Sequence, residues 1–522
     1  MLARLRRLFH RPLFLIGLTA FLTAFVVQSG ELGSSDTNHR LEATHSFWTS
    51  APEVDPDDYP EFGIHGPDGK LHGWYGIGQS LLMFPADVAA TYVERLPAFA
   101  NYDVDPTVRD IVVSYSTNIL VCVLALLVCF RFLRLLGFSV NQRIAGVLAL
   151  LFCTTFLHYT QNLMENNYIL LLTLTGLTFQ YEWLLTGSRR ALLIGSAALG
   201  ANLLTRLTTG MDLLAVCLFL LLTWRFTGGE RPPLWDRLAL YAKIALPVYA
   251  IFGLIDRVYQ HHRFGSFFNT YMQEFAREQR FLNPALPAAY PFETPFRVGF
   301  LGALFSPEKS IFLFDPLLVL TAILCVLAWK RFRPEIKAYL VASAALLLAY
   351  IAFYAKFTDW SGDFAWGDRY VSTAAQFVAF ISVPLLFRHR RELSGVVWKL
   401  GLTLVAISAV IQVSSVMFWC PLEIYQSDTL GQPVVVILRL KNIVAFASGK
   451  MAQWGLTNDS MSYDPWDYVH ITTYNFLPFL LARVGKAAGW VIELVTAIWF
   501  AALAALTALL IFIRGRFATA EY

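Results

Sequence analysis

The sequence predicts an all-α polytopic membrane protein, with about 12 transmembrane helices and external interfacial helices. Three observations carry this. Of the 522 residues, 56% are hydrophobic and only 15% charged, which is too apolar for an ordinary soluble protein. Apolar runs of roughly 17 to 25 residues, the length of a bilayer crossing, recur along the chain. The arginines and lysines between those runs fall on alternate connections, as they do when one face of a membrane protein is cytoplasmic.

The first run, 12–28, follows the basic opening MLARLRRLFHR. That opening resembles the n-region of a secretory signal, but no small-residue cleavage site follows Val27, so the run is taken as a retained first helix. Further runs lie at 112–130, 144–158, 168–185, 191–205, 211–225, 239–256, 311–329, 338–355, 370–387, 400–418 and 490–513. Twelve crossings put both termini on one side. Arg4, Arg6, Arg7 and Arg11, Arg131, Arg134 and Arg143, Arg189 and Arg190, Arg225 and Arg231 then share a face with Lys330, Arg331, Arg333, Arg388, Arg390, Arg391, Arg514 and Arg516. That face is expected to be cytoplasmic.

The opposite face carries the long polar segments, about 29–110, 257–310, 356–369 and 419–489. Within them, 79–96 and 432–449 are apolar but short or interrupted by charge, and are expected to lie at the interface or re-enter; as extra spans they would have to be added as a pair. There is no internal repeat and no low-complexity linker, so residues 1–522 form a single domain. The net charge of +4 implies no nucleic-acid partner. Five of the six cysteines fall inside apolar runs and Cys420 lies near a span end, which gives neither a disulfide framework nor a CxxC metal site.

Asp36 opens the first external segment, in GELGSSDTNHRLEATHSFWTS, where Leu41, Thr44, Phe47 and Trp48 recur at helical spacing. It either caps that helix or serves chemistry at the membrane surface. His72 to Asp87 sets Gly73, Gly76 and Gly78 around Trp74 and Tyr75, with Gln79 next; this suits a sugar ring or an isoprenoid chain, though taken locally it fits an interfacial aromatic belt better. Lys309 stands on the non-cytoplasmic end of a span, where it either meets an anion or snorkels into the headgroups. KFTDWSGDFAWGDRYV groups Asp359, Asp363, Asp368 and Arg369 with Trp360, Trp366 and Tyr370. Arginine presents a planar fork that fits a phosphate; a salt bridge closing the loop is the alternative, and the two carboxylates four apart are a weak metal pattern. Arg206 and Glu165 are further charges on the outer side, where intramembrane charge usually lines a path. His158, His261 and His262 lack metal-ligand spacing and are assigned to the interface.

Taken in order, these features resemble the GT-C superfamily of bacterial membrane glycosyltransferases, near the family 39 and aminoarabinose-transferase-like branch. The matching pieces are Asp36-Thr37 with Arg40-Leu41, Tyr75 to Leu82 (Y-G-x-G-Q-x-L-L), Ser306 to Leu313 (S-P-x-K-x-x-F-L) and Trp360 to Tyr370 (W-x-G-x-x-x-W-G-x-R-Y). The resemblance implies a GT-C-like fold and inverting transfer of a sugar from a polyprenyl-phosphate donor to a lipid or glycan acceptor on the external face of a bacterial plasma membrane. It makes Asp36 the candidate base. Arg369, Arg206 and Lys309 become candidates for the donor phosphate, and Trp74, Tyr75, Gln79, Trp360, Trp366 and Tyr370 for sugar or lipid. Neither a cofactor nor an essential metal is expected, because a monophosphate carrier has less need of a cation than a nucleotide diphosphate. Asp368 stands where many relatives have proline, so no role passes to it.

Rival readings are a multi-span transporter, an O-antigen ligase or polymerase using a diphosphate carrier, and a protein O-glycosyltransferase. The lopsided polar mass and missing repeat speak against the transporter.

Overall fold

The computed structural model describes residues 11–102, 104–227, 234–362, 364–419, 422–423, 426–427, 433–450 and 473–519. Arg4, Arg6, Arg7, Arg231, Asp363, Cys420 and much of 419–489 therefore lie outside the described residues.

The described chain is almost entirely helical. Helix α1 (Pro12–Val27) starts on a proline, whose missing N–H costs nothing there. Helix α2 (Ser35–Ser46) is capped by Ser34, whose hydroxyl accepts from Thr37 N. A short hairpin, β1 (Gly63–His65) and β2 (Leu71–Gly73), pairs antiparallel with Ile64 opposite His72. Helix α3 (Ile77–Glu94) follows, and then α4 (Val108–Leu135), started by a reciprocal capping box between Thr107 and Asp110.

Helices α5 (Val140–Phe152), α6 (Phe156–Gln161), α7 (Asn166–Thr186), α8 (Arg189–Thr205), α9 (Gly210–Phe226) and α10 (Leu234–Phe264) come next. After α11 (Tyr271–Leu282) and α12 (Phe296–Phe305) come α13 (Ile311–Phe314), α14 (Leu317–Ala328) and α15 (Pro334–Tyr354). The rest comprises α16 (Ser372–Phe380), α17 (Ser382–Arg388), α18 (Gly395–Ser415), α19 (Val435–Ala447), α20 (Leu477–Val484) and α21 (Gly489–Thr519).

Among the described residues, six helices are long and apolar enough to cross a membrane: Val108–Leu135, Leu207–Phe226, Trp235–Phe264, Pro334–Tyr354, Gly395–Ser415 and Gly489–Arg516. Pro12–Val27, Val140–Phe152, Phe296–Phe305 and Ser372–Arg388 are shorter and also apolar. The bundle turns apolar side chains outward: Leu246, Leu254, Val326, Val410 and Ile511 are all more than half exposed. In a soluble protein such a surface would aggregate; here it marks an integral membrane protein.

Three of the expected spans are broken. The run 144–158 is split into α5 and α6 near Cys153, and 311–329 is split into α13 and α14 at Asp315-Pro316. These two breaks satisfy each other, since the Asp315 carboxylate accepts from Thr155 N at 2.9 Å and from its hydroxyl at 3.1 Å. Interrupted helices persist inside a membrane protein only when the freed backbone groups find such partners. The run 370–387 likewise divides into α16 and α17 around Ile381.

Helix α7 lies along α8, and α8 along α10. Glycines set the approach: a Cβ on Gly176 would stand 2.5 Å from Leu199, and one on Gly200 would overlap the Phe252 ring. Small residues are how helices pack closely where no hydrophobic drive separates lipid from protein. Gly176→Leu is therefore expected to destabilise the fold by about 1–3 kcal/mol or more through overpacking, read as a lower thermal unfolding midpoint in detergent. An unchanged midpoint would contradict the contact.

The bundle has two chemically distinct ends. Arg131 at the end of α4 pairs with Glu182 on α7, and Arg388 at the end of α17 donates to Gly137 O. The other end, where α4 begins and where α8 and α15 finish, holds α2, the hairpin and α11 together with two cavities.

Candidate active site

Asp36 sits in the first turn of α2, but it is Ser34 that caps the helix. The carboxylate is thus free for other partners. Its Oδ1 accepts from the Tyr75 hydroxyl at 2.9 Å, and Oδ2 lies 2.9 Å from Arg369 Nη1.

The position of α2 is fixed by the α6–α7 loop. Leu163 O accepts both from Thr37 Oγ1 at 2.9 Å and from Gln79 Nε2 at 2.7 Å, while Leu163 N donates to Leu32 O. Gly33, at φ +86°, passes so close to this loop that a Cβ would stand 2.5 Å from Asn162. Arg369 is seated in a similar way, since a Cβ on Gly362 (φ +77°) would collide with its side chain.

Around Asp36 stand three guanidinium groups. Arg40, one helical turn along α2, lies with Nη1 2.9 Å from Glu165 Oε2 and with its plane 4.4 Å over the Tyr75 ring. Arg206 pairs with the other oxygen of Glu165 and lies 5.1 Å over the Tyr370 ring. Arg369 lies 5.2 Å over the same ring, which stacks on Tyr354 at 4.3 Å. The aromatic faces fix the cations in place and shield them from water. Three arginines against two carboxylates leave one uncompensated positive charge, and Arg369 Nε has no hydrogen-bond partner among the described residues.

Burial pushes the Asp36 carboxyl upward, but Arg369, Arg40, the Tyr75 hydroxyl and Arg206 outweigh it and hold the group at about 2. Burial pulls Arg40 below its usual value. Burial and the Asp36 charge keep Tyr75 protonated, well above the usual phenol range.

Two cavities meet at this carboxylate. One, of about 550 Å³, is walled by Arg40, Arg206, Arg280 and Arg369 and by apolar and aromatic side chains including Tyr271, Met272, Phe292, Phe353 and Tyr354. The other, of about 750 Å³, is lined by α2's N-terminal turn, the start of α4 and residues such as Glu61, Phe275 and Gln279. Asp36, Trp74, Tyr290, Phe357, Arg369 and Tyr370 border both.

Of the residues singled out in the sequence, Asp36, Arg206, Arg369, Trp74, Tyr75 and Tyr370 come together here. Four others lie elsewhere. Lys309 is buried and donates to Ala365 O at 2.9 Å. Gln79 makes the Leu163 contact described above and is buried. Trp360 packs on α12 at Gly302, and Trp366 is fully buried against His158 and Phe314. Asp368 accepts from Tyr370 N, and burial pushes its carboxyl up to about 7. His158 is fully buried, not interfacial: the break before α6 carries it into the core, where Nε2 faces Asn162 Nδ2 at 3.0 Å.

Sequence reasoning missed Arg40 as a site residue, although its i+4 spacing from Asp36 places both on one face of α2. It also missed Tyr271, Arg280 and Tyr354, which lack a local pattern. Among the described residues, His39, Glu42 and Asp58 bring ligand atoms within 4.8 Å of one another. None of the three lines either cavity. Both carboxylates approach the same His39 Nδ1: Glu42 hydrogen-bonds it at 3.0 Å and Asp58 stands at 3.7 Å, an ion-pair contact only.

Comparison with solved structures finds nine similar chains, among them two archaeal structures and one bacterial one. The oligosaccharyltransferase of Archaeoglobus fulgidus in its apo form is 12% identical with a TM-score of 0.46, over 78% of this chain and 56% of its own. The same organism's AglB, in complex with an inhibitory peptide and a dolichol-phosphate, gives 12% and 0.47 over 77% of this chain and 56% of its own. ArnT from Cupriavidus metallidurans bound to undecaprenyl phosphate gives 12% and 0.42 over 92% and 75%. The chain thus spans just over half the length of the archaeal proteins. No protein-family model and no curated protein matches it.

Proposed function

We propose that the protein is an inverting glycosyltransferase that moves a sugar from a polyprenyl-phosphate donor to a hydroxyl acceptor at the membrane surface. One observation carries this: a carboxylate stands where two cavities meet, inside a cluster of arginines with an excess positive charge and an aromatic wall. The cationic cavity suits the donor, with the phosphate against Arg369, Arg206 and Arg40 and the first isoprene units along Tyr271, Met272 and Phe353. The acceptor enters from the other cavity, so that its hydroxyl reaches the anomeric carbon from the side opposite the phosphate.

In the reaction the acceptor oxygen bonds to the anomeric carbon while the bond from that carbon to the phosphate oxygen breaks. The electron pair leaves with the phosphate, and the acceptor proton passes to Asp36. Positive charge develops on the ring before the proton is lost, so a weak base is sufficient. The departing phosphate gains negative charge, which fixed guanidiniums stabilise without reorganising. It also competes for Arg369, and as Arg369 turns to it, Asp36 loses the partner that holds its pKa low. Donor binding thereby makes the carboxylate a better base.

By the charge rule the cavity end is external and both termini are cytoplasmic, in the plasma membrane of a bacterium. The reading is tested by giving the purified protein radiolabelled polyprenyl-phosphate sugars and a membrane extract, then following release of free polyprenyl phosphate together with label on an acceptor. Absence of release removes the proposal. The same reaction is expected to proceed at an undiminished rate in a strong chelator, and its arrest would show that a divalent cation helps the arginines to stabilise the leaving phosphate.

A further inference from the structure

The two cavities that meet at Asp36 are sorted by charge. Among the described residues, the first is lined by four arginines and two carboxylates, Asp36 and Glu165. The second is lined by six carboxylates, Glu31, Asp36, Glu61, Asp105, Asp110 and Asp359, and by one cation, the shared Arg369.

Carboxylates alone would make only a solvated rim. Here they surround a volume of about 750 Å³ that opens onto the Asp36–Arg369 pair, with Trp74, Phe275, Phe364 and Trp419 among its walls. Aromatic faces with carboxylates suit a sugar ring or an ammonium group. Phosphate meets the opposite: it would be held among like charges and only one guanidinium, already paired with Asp36.

We propose that the second cavity takes an acceptor carrying a protonated amine near its reacting hydroxyl, an amine-bearing sugar or headgroup, and turns away acceptors phosphorylated there. This rests on the transferase reading for the word acceptor, but the charge preference is a property of the cavity. The sorting has a functional logic, since a donor phosphate in one cavity and a cationic acceptor in the other cannot exchange places.

The test is equilibrium binding to the full chain in lipid nanodiscs, with empty nanodiscs as control. The probes are tritiated octyl glucoside, its 6-amino-6-deoxy derivative and its 6-phosphate, with undecaprenyl phosphate measured separately. The amino derivative is expected to bind at least ~tenfold more tightly than the 6-phosphate, the order of effect that several charges within reach produce at a protein surface. Glu61→Lys, which reverses an exposed charge on the rim, is expected to shrink that ratio to about threefold or less and to leave undecaprenyl phosphate affinity unchanged. Equal binding of amine and phosphate, no binding of any glycoside, or a ratio unmoved by Glu61→Lys overturns the proposal. Failure of undecaprenyl phosphate to bind either protein would remove the donor reading instead, and the glycoside ratio would still decide the charge preference.

Discussion

Replacing Asp36 with asparagine is expected to slow sugar transfer by ~10²–10⁴-fold, the usual worth of a positioned general base, without weakening the hold on the lipid carrier. Asparagine keeps the shape and can still accept from Tyr75, so α2 stays in place on its Ser34 cap and its Thr37 bond to Leu163. What it removes is a proton acceptor and the ion partner of Arg369. Freed of that partner, Arg369 should bind undecaprenyl phosphate at least as well as before. The combination is diagnostic: turnover falls while the dissociation constant of the carrier holds or improves. Transfer by both proteins at equal rates would eliminate Asp36 as the base, and a matching loss of carrier affinity would point to a damaged site. With its pKa held at about 2, Asp36 is ionised throughout the neutral range. The kcat/KM of the native protein should therefore show no acid limb from this group near neutrality.

Arg369→Ala is expected to cost ~10²–10³-fold in turnover, as loss of one fixed donor to a developing oxyanion does, and to change the pH profile as well. Removing the guanidinium leaves Asp36 buried beside Arg40 and Arg206 but without its contact partner, so burial gains weight and the pKa rises. The sign follows directly. For the proposed base the carboxylate is the active form, a higher pKa means it protonates sooner on acidification, and the acid limb of kcat/KM moves upward toward the measurable range. Arg369→Lys keeps a charge but loses the planar fork, so it should fall between native and alanine in rate and show a smaller upward shift of the limb. If alanine and lysine variants behave alike, charge at this position is not what matters. If the limb moves downward, the ion pair does not govern Asp36.

Much of the helical architecture could be read from the sequence because a membrane helix must be apolar along its whole length, and most apolar runs became helices close to where they were expected. The breaks at Cys153 and Asp315 could not. Each depends on the other, and Thr155 and Asp315 are 160 residues apart. The site divides on the same principle. Asp36 and Arg369 stood out because a charge beside an apolar run has few structural uses, and Arg40 needed only the helical repeat to join them. Lys309 drew notice for the same reason and Trp360 and Trp366 as aromatic faces in a charged loop, yet they serve packing and backbone satisfaction, a difference that residue type does not reveal. The pairing of Arg206 with Glu165, 41 residues apart, exists only once the bundle has closed.

The double acceptance at the Leu163 carbonyl has a consequence for how the protein meets its membrane. The helix that bears Asp36 is referenced to a carbonyl in the buried α6–α7 loop and not to the lipid around the bundle. The carboxylate thus keeps a fixed place relative to its arginines when the lipid around the bundle thins or thickens, and that adjustment falls to the outward-facing helices such as α10.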